Sequence, residues 1–360
     1  MFRKIIFLES EEFYKDLIDP FFFNSIEMSF DGGGFYKDIA HLKNYDLVIY
    51  TIYSSPLFNK IILNCKKDGI PTMLLMDGIC EFSNFTKNKN ITKLGFDNYH
   101  PVISDYLCVI GRRASNYFNV QGVKTCKYLP PRVLKNTYIE NFSDEECGMN
   151  YFLITTANTA YYDDDEFERL CVVLKKTIDA LEQKKENYCF RIFDEKIIKT
   201  LCIDESKNFT SGSFEEILNK VSFVITTPSS IMLQAMHSRK PVATLLYRDS
   251  PIFIQSGWII YDGVNLQHVI DSMLLRDKKR MFFQQSELEN TREYNSLNFT
   301  GETTEKICNQ SDDFLKFVNQ NLVNMLNSKF NFNAEFRFRK VYWKLKKTKV
   351  FKIIRKKIMG

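Results

Sequence analysis

The sequence lacks paired cysteines. Its nine cysteines are odd in number and scattered, and no CxxC pair occurs among them. A disulfide framework or a structural zinc site needs closely paired ligands, so this spacing argues against both. Buried free thiols in a reducing cytoplasm fit the pattern better, and no metal site is predicted.

Long apolar runs are absent as well. No stretch approaches the roughly 18 apolar residues that a membrane-spanning helix needs. The first apolar stretch ends at Leu8 and is followed by Glu9, Glu11 and Glu12, which does not fit a secretion signal. The chain is therefore expected to be cytoplasmic unless another feature holds it to a membrane.

Apolar runs alternate with helical patterns along the 360 residues, a length that favours two domains. Continuous apolar runs, typical of strands buried on both faces, occur at 4–9, 46–51, 71–77, 106–111, 151–157, 188–194, 222–228 and 241–247. Helical patterns lie between several of these strands, with a long one from about 164 to 184. This alternation predicts parallel sheets.

We therefore predict an α/β fold of two Rossmann-like domains that face each other across a cleft. The N-terminal domain spans 1–130, and the C-terminal domain spans 151–330. Residues 131–150 form a linker, and Pro130-Pro131 at its start is expected to break any helix. Ligands of open parallel sheets bind beyond the carboxyl ends of the strands, so the site is expected in the cleft.

The segment 222–247 contains the most specific local pattern. A predicted strand ends at Thr227-Pro228, and Ser229 and Ser230 then begin a helix. Their hydroxyls and the free N–H groups of the helix start suit a phosphate, although serine is also a good helix cap. This strand, Ser-Ser helix and Lys-Pro-Val strand resemble the donor-nucleotide domain of GT-B glycosyltransferases. The resemblance implies a nucleotide-activated donor that is bound by the C-terminal domain, with the acceptor and the catalytic acids on the N-terminal domain.

A second resemblance begins at "LLMDGICEFSNF", residues 74–85. This segment resembles the strand-DG-x-x-E segment of bacterial enzymes that transfer Kdo (3-deoxy-manno-octulosonate) from CMP-Kdo, above all the retaining β-Kdo transferases of O-antigen and capsule assembly. Residues 104–118 are similar to the strand-Gly-helix element that follows in those proteins. The resemblance implies a metal-independent transferase with no cofactor, a CMP-sugar donor, a lipid-linked glycan acceptor and Asp77 as nucleophile.

The chemistry of Kdo transfer gives the acidic residues a rationale. The sugar leaves CMP through an oxocarbenium-like transition state, and a nearby carboxylate stabilises it or forms a covalent intermediate. A second acid or base must serve the acceptor hydroxyl, and Glu9 and Glu81 compete for that role. Glu81 can instead hold the loop, and a plain Asp-Gly turn is the alternative interpretation of Asp77.

Other polar residues are expected at the same cleft. His100 precedes a proline, similar to the His-Pro pair of CMP-sialic-acid users, although there the pair belongs to the nucleotide-binding half; it is expected to contact the donor as a cation, or else to be an ordinary loop histidine. Thr156 and Asn158 follow the first strand of the second domain, and Arg248 is expected near the ribose or base. Asp163 and Asp165 form a DxD, but acids also suit the first turn of a helix, which is the interpretation we prefer.

The last 25 residues are strongly basic, with eleven lysines and arginines and no acid. Because the whole chain carries +5, the other 335 residues carry −6. Apolar residues recur at three- and four-residue steps in this segment, which predicts a basic amphipathic helix in the tail (331–360) on the anionic inner face of the cytoplasmic membrane. The predicted contacts are Arg337, Trp343, Lys346, Lys352 and Arg355.

Four alternatives stay open, two for the tail and two for the function. The basic tail also fits nucleic acid, although the acidic remainder shows no RNA- or DNA-binding module, or a solvated disordered segment. The enzyme can be a GT-B protein that uses a UDP-sugar, a GDP-sugar or a CDP-polyol donor. The chain can also be a non-catalytic membrane-anchored scaffold of a polysaccharide assembly complex.

Overall fold

A computed structural model of the chain describes residues 4–15, 17–18, 26–88, 102–134, 151–248 and 252–292, together with 337–338, 341–342 and 345. Among these residues, no helix combines the length and the apolar character required to cross a bilayer.

The first sheet has six parallel strands in the order β2-β1-β3-β4-β5-β6. The strands are β1 Lys4–Phe7, β2 Glu27–Ser29, β3 Leu47–Tyr50, β4 Thr72–Leu75, β5 Tyr106–Val109 and β6 Lys124–Lys127. Side chains alternate between its two faces, so Ile5 and Phe7 pack into one core while Ile6 and Leu8 pack into another. Burial on both faces explains why the central strands are apolar throughout.

The second sheet has five parallel strands in the order β11-β10-β9-β7-β8. The strands are β7 Tyr151–Thr155, β8 Asn187–Arg191, β9 Phe223–Thr226, β10 Val242–Leu246 and β11 Trp258–Tyr261. Two parallel-sheet α/β domains confirm the predicted fold class.

Helices connect the strands. The α-helices are Glu11–Tyr14, Pro56–Lys67, Phe82–Thr86, Arg112–Asn119, Pro131–Leu134, Asp164–Gln183, Glu195–Thr200, Phe214–Leu218, Ser230–His237, Leu266–Leu274 and Lys278–Arg292. Short 3-10 helices span Gly32–Phe35, Ile39–Asn44 and Glu205–Lys207.

The acidic segment 163–165 stands at the start of the longest of these helices, Asp164–Gln183. The Asp163 carboxylate caps it by accepting a hydrogen bond from the N–H of Glu166 at 2.8 Å. Asp165 pairs with Arg169 one turn later at 2.7 Å. Both acids of the DxD therefore serve the helix start, where negative charge complements the helix dipole.

The prediction for the proline pair is wrong. Pro130-Pro131 was expected to break any helix, but Pro131 begins a helical turn, Pro131–Leu134. Proline fits the first position of a helix, because its fixed φ is already helical and its missing N–H has no partner there.

The two halves share an apolar core at this turn. Ile110, Leu129 and Val133, which come from the first half of the chain, pack in one buried cluster with Leu153 and Leu233 of the second. The Pro131–Leu134 turn also packs against the Ser230–His237 helix. Glu81, which follows β4, and Pro228, which precedes that helix, line one small cavity, so the carboxyl edge of the first sheet lies close to the start of the helix.

The predicted tail is described at only five positions, all of them helical: 337, 338, 341, 342 and 345. Arg337 is exposed, and so are Phe338, Val341 and Leu345. The other predicted membrane contacts, Trp343, Lys346, Lys352 and Arg355, lie outside the described residues, as does His100.

Candidate functional site

The second sheet has a topological switch point between β7 and β9. The chain leaves β7 toward β8 on one side and later returns to place β9 on the other. The loops that leave the two strands therefore diverge, and the crevice between them is the usual ligand site of an open α/β sheet. Four predicted donor-binding residues, Thr156, Asn158, Thr227 and Ser229, lie on these two loops, and Ser230 begins the helix that follows.

A hydrogen bond ties the two loops together. The Thr227 hydroxyl accepts a hydrogen bond from the N–H of Ala157 at 2.7 Å. Thr156 and Thr227 are buried, whereas Asn158 is exposed. The threonines thus shape the floor of the crevice, and Asn158 lies at its open side.

Ser229 occupies the cap position of the Ser230–His237 helix but does not cap it with its side chain. Its Oγ is shielded from solvent and has no hydrogen-bond partner among the described residues. Elsewhere in the chain the cap side chains of longer helices do accept a helix N–H, as at Ser55, Asp163 and Asn265. The Ser229 hydroxyl thus makes no hydrogen bond with the described residues, at a helix N-terminus, where an anion is favoured.

Asp77 lies just after β4, and it is exposed. Its backbone carbonyl accepts a hydrogen bond from the guanidinium of Arg132. Arg132 belongs to the Pro131–Leu134 turn, which packs on the Ser230–His237 helix. The structure thus brings the Asp77 loop and the Ser229 helix to the same region of the cleft.

Arg132 was missed by the sequence analysis. It stands in a segment that reads as a linker, and nothing in its neighbourhood of the sequence marks it as a site residue. The contact with Asp77 spans 55 positions of the chain and depends on how the halves pack. Only the structure shows that this cation contacts the Asp77 backbone from a turn that packs on the Ser230–His237 helix.

Glu9 lies at the switch point of the first sheet, between β1 and β3, and is 4% exposed. One carboxylate oxygen accepts hydrogen bonds from the N–H groups of Thr51 and Ile52, at 2.8 and 2.7 Å, and the other from the Tyr14 hydroxyl at 2.5 Å. Burial raises the pKa of this carboxyl, although these three donors oppose the shift. Both oxygens are engaged, so the geometry favours a role in joining the two strand ends.

Glu81 is also buried, and it pairs with Arg248 across the cleft. Burial raises the pKa of the Glu81 carboxyl, while the positive charge of Arg248 opposes the shift. The backbone of Glu81 forms an antiparallel bridge with Ile252, which strengthens the same link between the domains. This arrangement favours the prediction in which Glu81 holds the loop.

All three guanidinium nitrogens of Arg248 have partners. Nη1 binds Glu81, Nε donates to Glu166 at 3.1 Å, and Nη2 donates to the carbonyls of Thr159 and Ala160 at 3.1 and 2.6 Å. A small cavity beside these residues is lined by Glu81, Pro228, Tyr247 and Arg248. Each nitrogen of the guanidinium is already engaged within the protein. A structural role therefore suits Arg248 better than the predicted contact with ribose or base.

Lys87 adds a further cation to the charged group formed by Arg248, Glu81 and Glu166. Its ammonium lies 2.9 Å from the Asp163 carboxylate and 3.2 Å from that of Glu166, which is fully buried. Both ion pairs join the loop after β4 to the start of the Asp164–Gln183 helix. Glu166 is the one buried member of these pairs, since the side chains of Lys87 and Asp163 are 37% and 39% exposed. The Lys87–Asp163 pair is therefore expected to add little stability.

Solved structures resemble this fold. MnaA of S. aureus, solved with UDP, matches with a TM-score of 0.51 at 14% identity, over 81% of this chain and 92% of that one. A UDP-GlcNAc 2-epimerase from Neisseria meningitidis, bound to UDP-GlcNAc, matches with a TM-score of 0.50 at 12% identity, over 81% of this chain and 95% of that one. These matches show a GT-B-like fold. No protein-family model and no curated protein matches the sequence.

Proposed function

We propose that the chain is a glycosyltransferase that binds its nucleotide-sugar donor between β7 and β9. The observation that carries this proposal is the Ser229 hydroxyl, which is placed at a helix N-terminus and satisfied by none of the described residues. A donor phosphate supplies the missing acceptor and a charge that the helix dipole favours. The UDP and UDP-GlcNAc bound to the two structural neighbours support a nucleotide ligand for this fold.

The finer proposal is transfer of Kdo, or a related acidic sugar, from a CMP donor to a lipid-linked glycan in O-antigen or capsule assembly. It rests on the resemblance of residues 74–85 to the retaining β-Kdo transferases. The position of Arg132 adds support, because an acidic sugar brings a carboxylate that a guanidinium binds well.

Asp77 acts as the nucleophile in this mechanism. Its carboxylate forms a bond to the anomeric carbon while the bond to CMP breaks, and CMP leaves with the electron pair. The acceptor hydroxyl then displaces Asp77, which restores the original anomeric configuration. The hydroxyl proton passes to water, since Glu9 and Glu81 are both engaged in structural contacts.

Membrane association through the basic tail belongs to the same proposal. A lipid-linked acceptor lies at the membrane surface, and eleven basic residues in the last 25 suit the anionic inner leaflet. The protein is then cytoplasmic and peripheral.

A donor screen tests the function. Purified protein is incubated with CMP-Kdo, UDP-GlcNAc, a GDP-sugar or a CDP-polyol, and nucleotide release and intact mass are measured. We expect CMP release and a sugar adduct with CMP-Kdo alone, both lost in Asp77→Asn and retained in Asp179→Asn, whose carboxylate pairs with Lys175 on its own helix. Turnover of a UDP-sugar instead identifies the alternative enzyme, and release of no nucleotide favours the scaffold.

A further inference from the structure

A group of exposed basic and apolar residues lies where the helices Leu266–Leu274 and Lys278–Arg292 meet. We call it the basic edge and define it as Leu275, Arg276, Lys278, Lys279 and Phe282. Leu275 is 81% exposed and Phe282 75%. All three cations are exposed. The group therefore presents apolar and positively charged side chains together to solvent.

The basic edge is fixed at the amino ends of the second sheet, opposite the candidate donor site. The Arg276 guanidinium lies 6.0 Å from the ring of Phe223, at the start of β9. The next helix is anchored by Arg280, which donates to the Gly257 carbonyl before β11 at 3.2 Å, and by Gln284, which donates to the Lys240 carbonyl before β10 at 2.7 Å.

Neighbouring loops add charge to the same side of the domain. The amino ends of parallel strands lie at one edge of a sheet, so the residues just before β8 and β9 share this edge. Exposed Lys185 precedes β8 and exposed Lys220 precedes β9.

No carboxylate among the described residues pairs with Lys278 or Lys279. The acid nearest in sequence, Asp277, accepts a hydrogen bond from the N–H of Arg280 at 3.0 Å and so serves the helix start. Residues 275–283 carry four cations against this single acid. An anionic partner is the charge complement of such a surface.

The residues of the basic edge and the neighbouring Arg280 depart from two usual preferences of helix ends, one for charge and one for backbone conformation. Lys278, Lys279 and Arg280 occupy the first turn of a helix, where the dipole disfavours positive charge. Arg276 ends the preceding helix with φ +47°, a left-handed conformation that glycine adopts more readily. Cations thus stand at four positions where folding alone favours other residues, a pattern expected of a functional surface.

We propose that the basic edge docks on an anionic membrane surface. Exposed Leu275 and Phe282 decide between a bilayer and a soluble polyanion, because apolar side chains gain free energy by entering the headgroup region while the cations beside them meet anionic lipids. This contact is separate from the predicted tail, and it does not depend on which sugar the protein transfers.

Insertion of Phe282 is tested by fluorescence in the full chain. In a Trp343→Phe background, Phe282→Trp leaves buried Trp258 as the other indole. With vesicles of phosphatidylcholine and phosphatidylglycerol whose acyl chains are brominated, we expect blue-shifted and quenched emission. Val120→Trp, at an 85% exposed apolar position in the other domain, is the matched control and stays unquenched. If Phe282→Trp remains unquenched, whether or not the protein binds the vesicles, the proposal is wrong.

Charge dependence is tested by flotation with the same vesicles. Each cation near an anionic surface contributes about 1 kcal/mol, or about fivefold, so Lys278→Gln with Lys279→Gln is expected to weaken binding about 30-fold. The control removes two exposed lysines elsewhere, Lys37→Gln with Lys207→Gln, and leaves binding within about twofold. If both double variants lose vesicle binding equally, binding does not depend on the basic edge in particular, and the proposal is contradicted. Weaker binding without quenching of Phe282→Trp indicates a soluble polyanion partner and overturns the membrane proposal.

Discussion

Glu81 and Arg248 form a buried ion pair between the loop that follows β4 and the carboxyl end of β10. Asp77 lies four positions before Glu81 on the same loop, and the Ser229 helix lies between β9 and β10. The pair therefore helps to set the distance between the proposed nucleophile and the proposed phosphate site. Its removal is expected to affect both stability and the geometry of the cleft.

Glu81→Ala should lower the free energy of unfolding by about 3 kcal/mol, because it leaves part of a buried guanidinium without its counter-ion. Urea unfolding measures the loss. The comparison variant is Asp179→Ala, which removes the half-exposed partner of Lys175 and should cost no more than about 0.5 kcal/mol. Equal effects of the two variants would show that the buried pair contributes no more than a surface pair.

Glu9→Gln should remove a pH dependence of stability. Burial raises the folded-state pKa of this carboxyl above its ordinary value of 4.5, so the folded state binds the proton more tightly than the unfolded state. The stabilisation is full below pH 4.5 and is lost as pH rises through the folded-state pKa. Urea unfolding between pH 4 and 8 should show this loss in the wild type relative to the variant, whose amide stays neutral. If the free energy of unfolding depends on pH in the same way in the wild type and in Glu9→Gln, the prediction is wrong.

Ser229→Ala should leave stability nearly unchanged, because its hydroxyl makes no capping hydrogen bond. Asp163→Ala is the informative comparison, since that side chain does cap its helix. Loss of a working cap costs about 1 kcal/mol. Thermal unfolding of both variants distinguishes them, and a comparable loss at Ser229 would mean that its side chain stabilises the helix after all.

Arg132→Gln should lower kcat/KM for the donor about tenfold or more, the expected result of losing a charge-assisted hydrogen bond to an anionic substrate. Arg132→Lys should recover only part of the loss, since an ammonium does not reproduce the planar guanidinium. Steady-state CMP release gives both values. A variant with wild-type kinetics would exclude Arg132 from donor binding.

The central strands could be predicted because they are buried on both faces and read as continuous apolar runs. Three strands were missed, β2, β6 and β11, and each lies at a sheet edge. The residues of β6, "KTCK", are half-buried and polar, so no apolar pattern marks them. An edge strand pairs on one side only and need not be buried along its length, and β2 and β11 also carry exposed residues.

The candidate site, too, could be predicted from the sequence only in part. Ser229 could be predicted because strand, serines and helix are contiguous in the sequence. The partners of Arg248 could not, since Glu81 and Glu166 are 167 and 82 positions away from it. Both Glu9 and Glu81 were predicted as acids of the cleft from their position after strands, but whether a carboxylate is free or engaged depends on tertiary contacts.

Calorimetric titration of CMP tests most directly whether the nucleotide binds at the β7–β9 switch point. The wild type should bind CMP, and Ser229→Ala should bind it about tenfold more weakly, the expected loss for one hydrogen bond to a charged phosphate. Lys207→Gln, which removes an exposed cation elsewhere, should bind like the wild type. Equal affinities of wild type and Ser229→Ala, or no binding by the wild type, would contradict the proposed site.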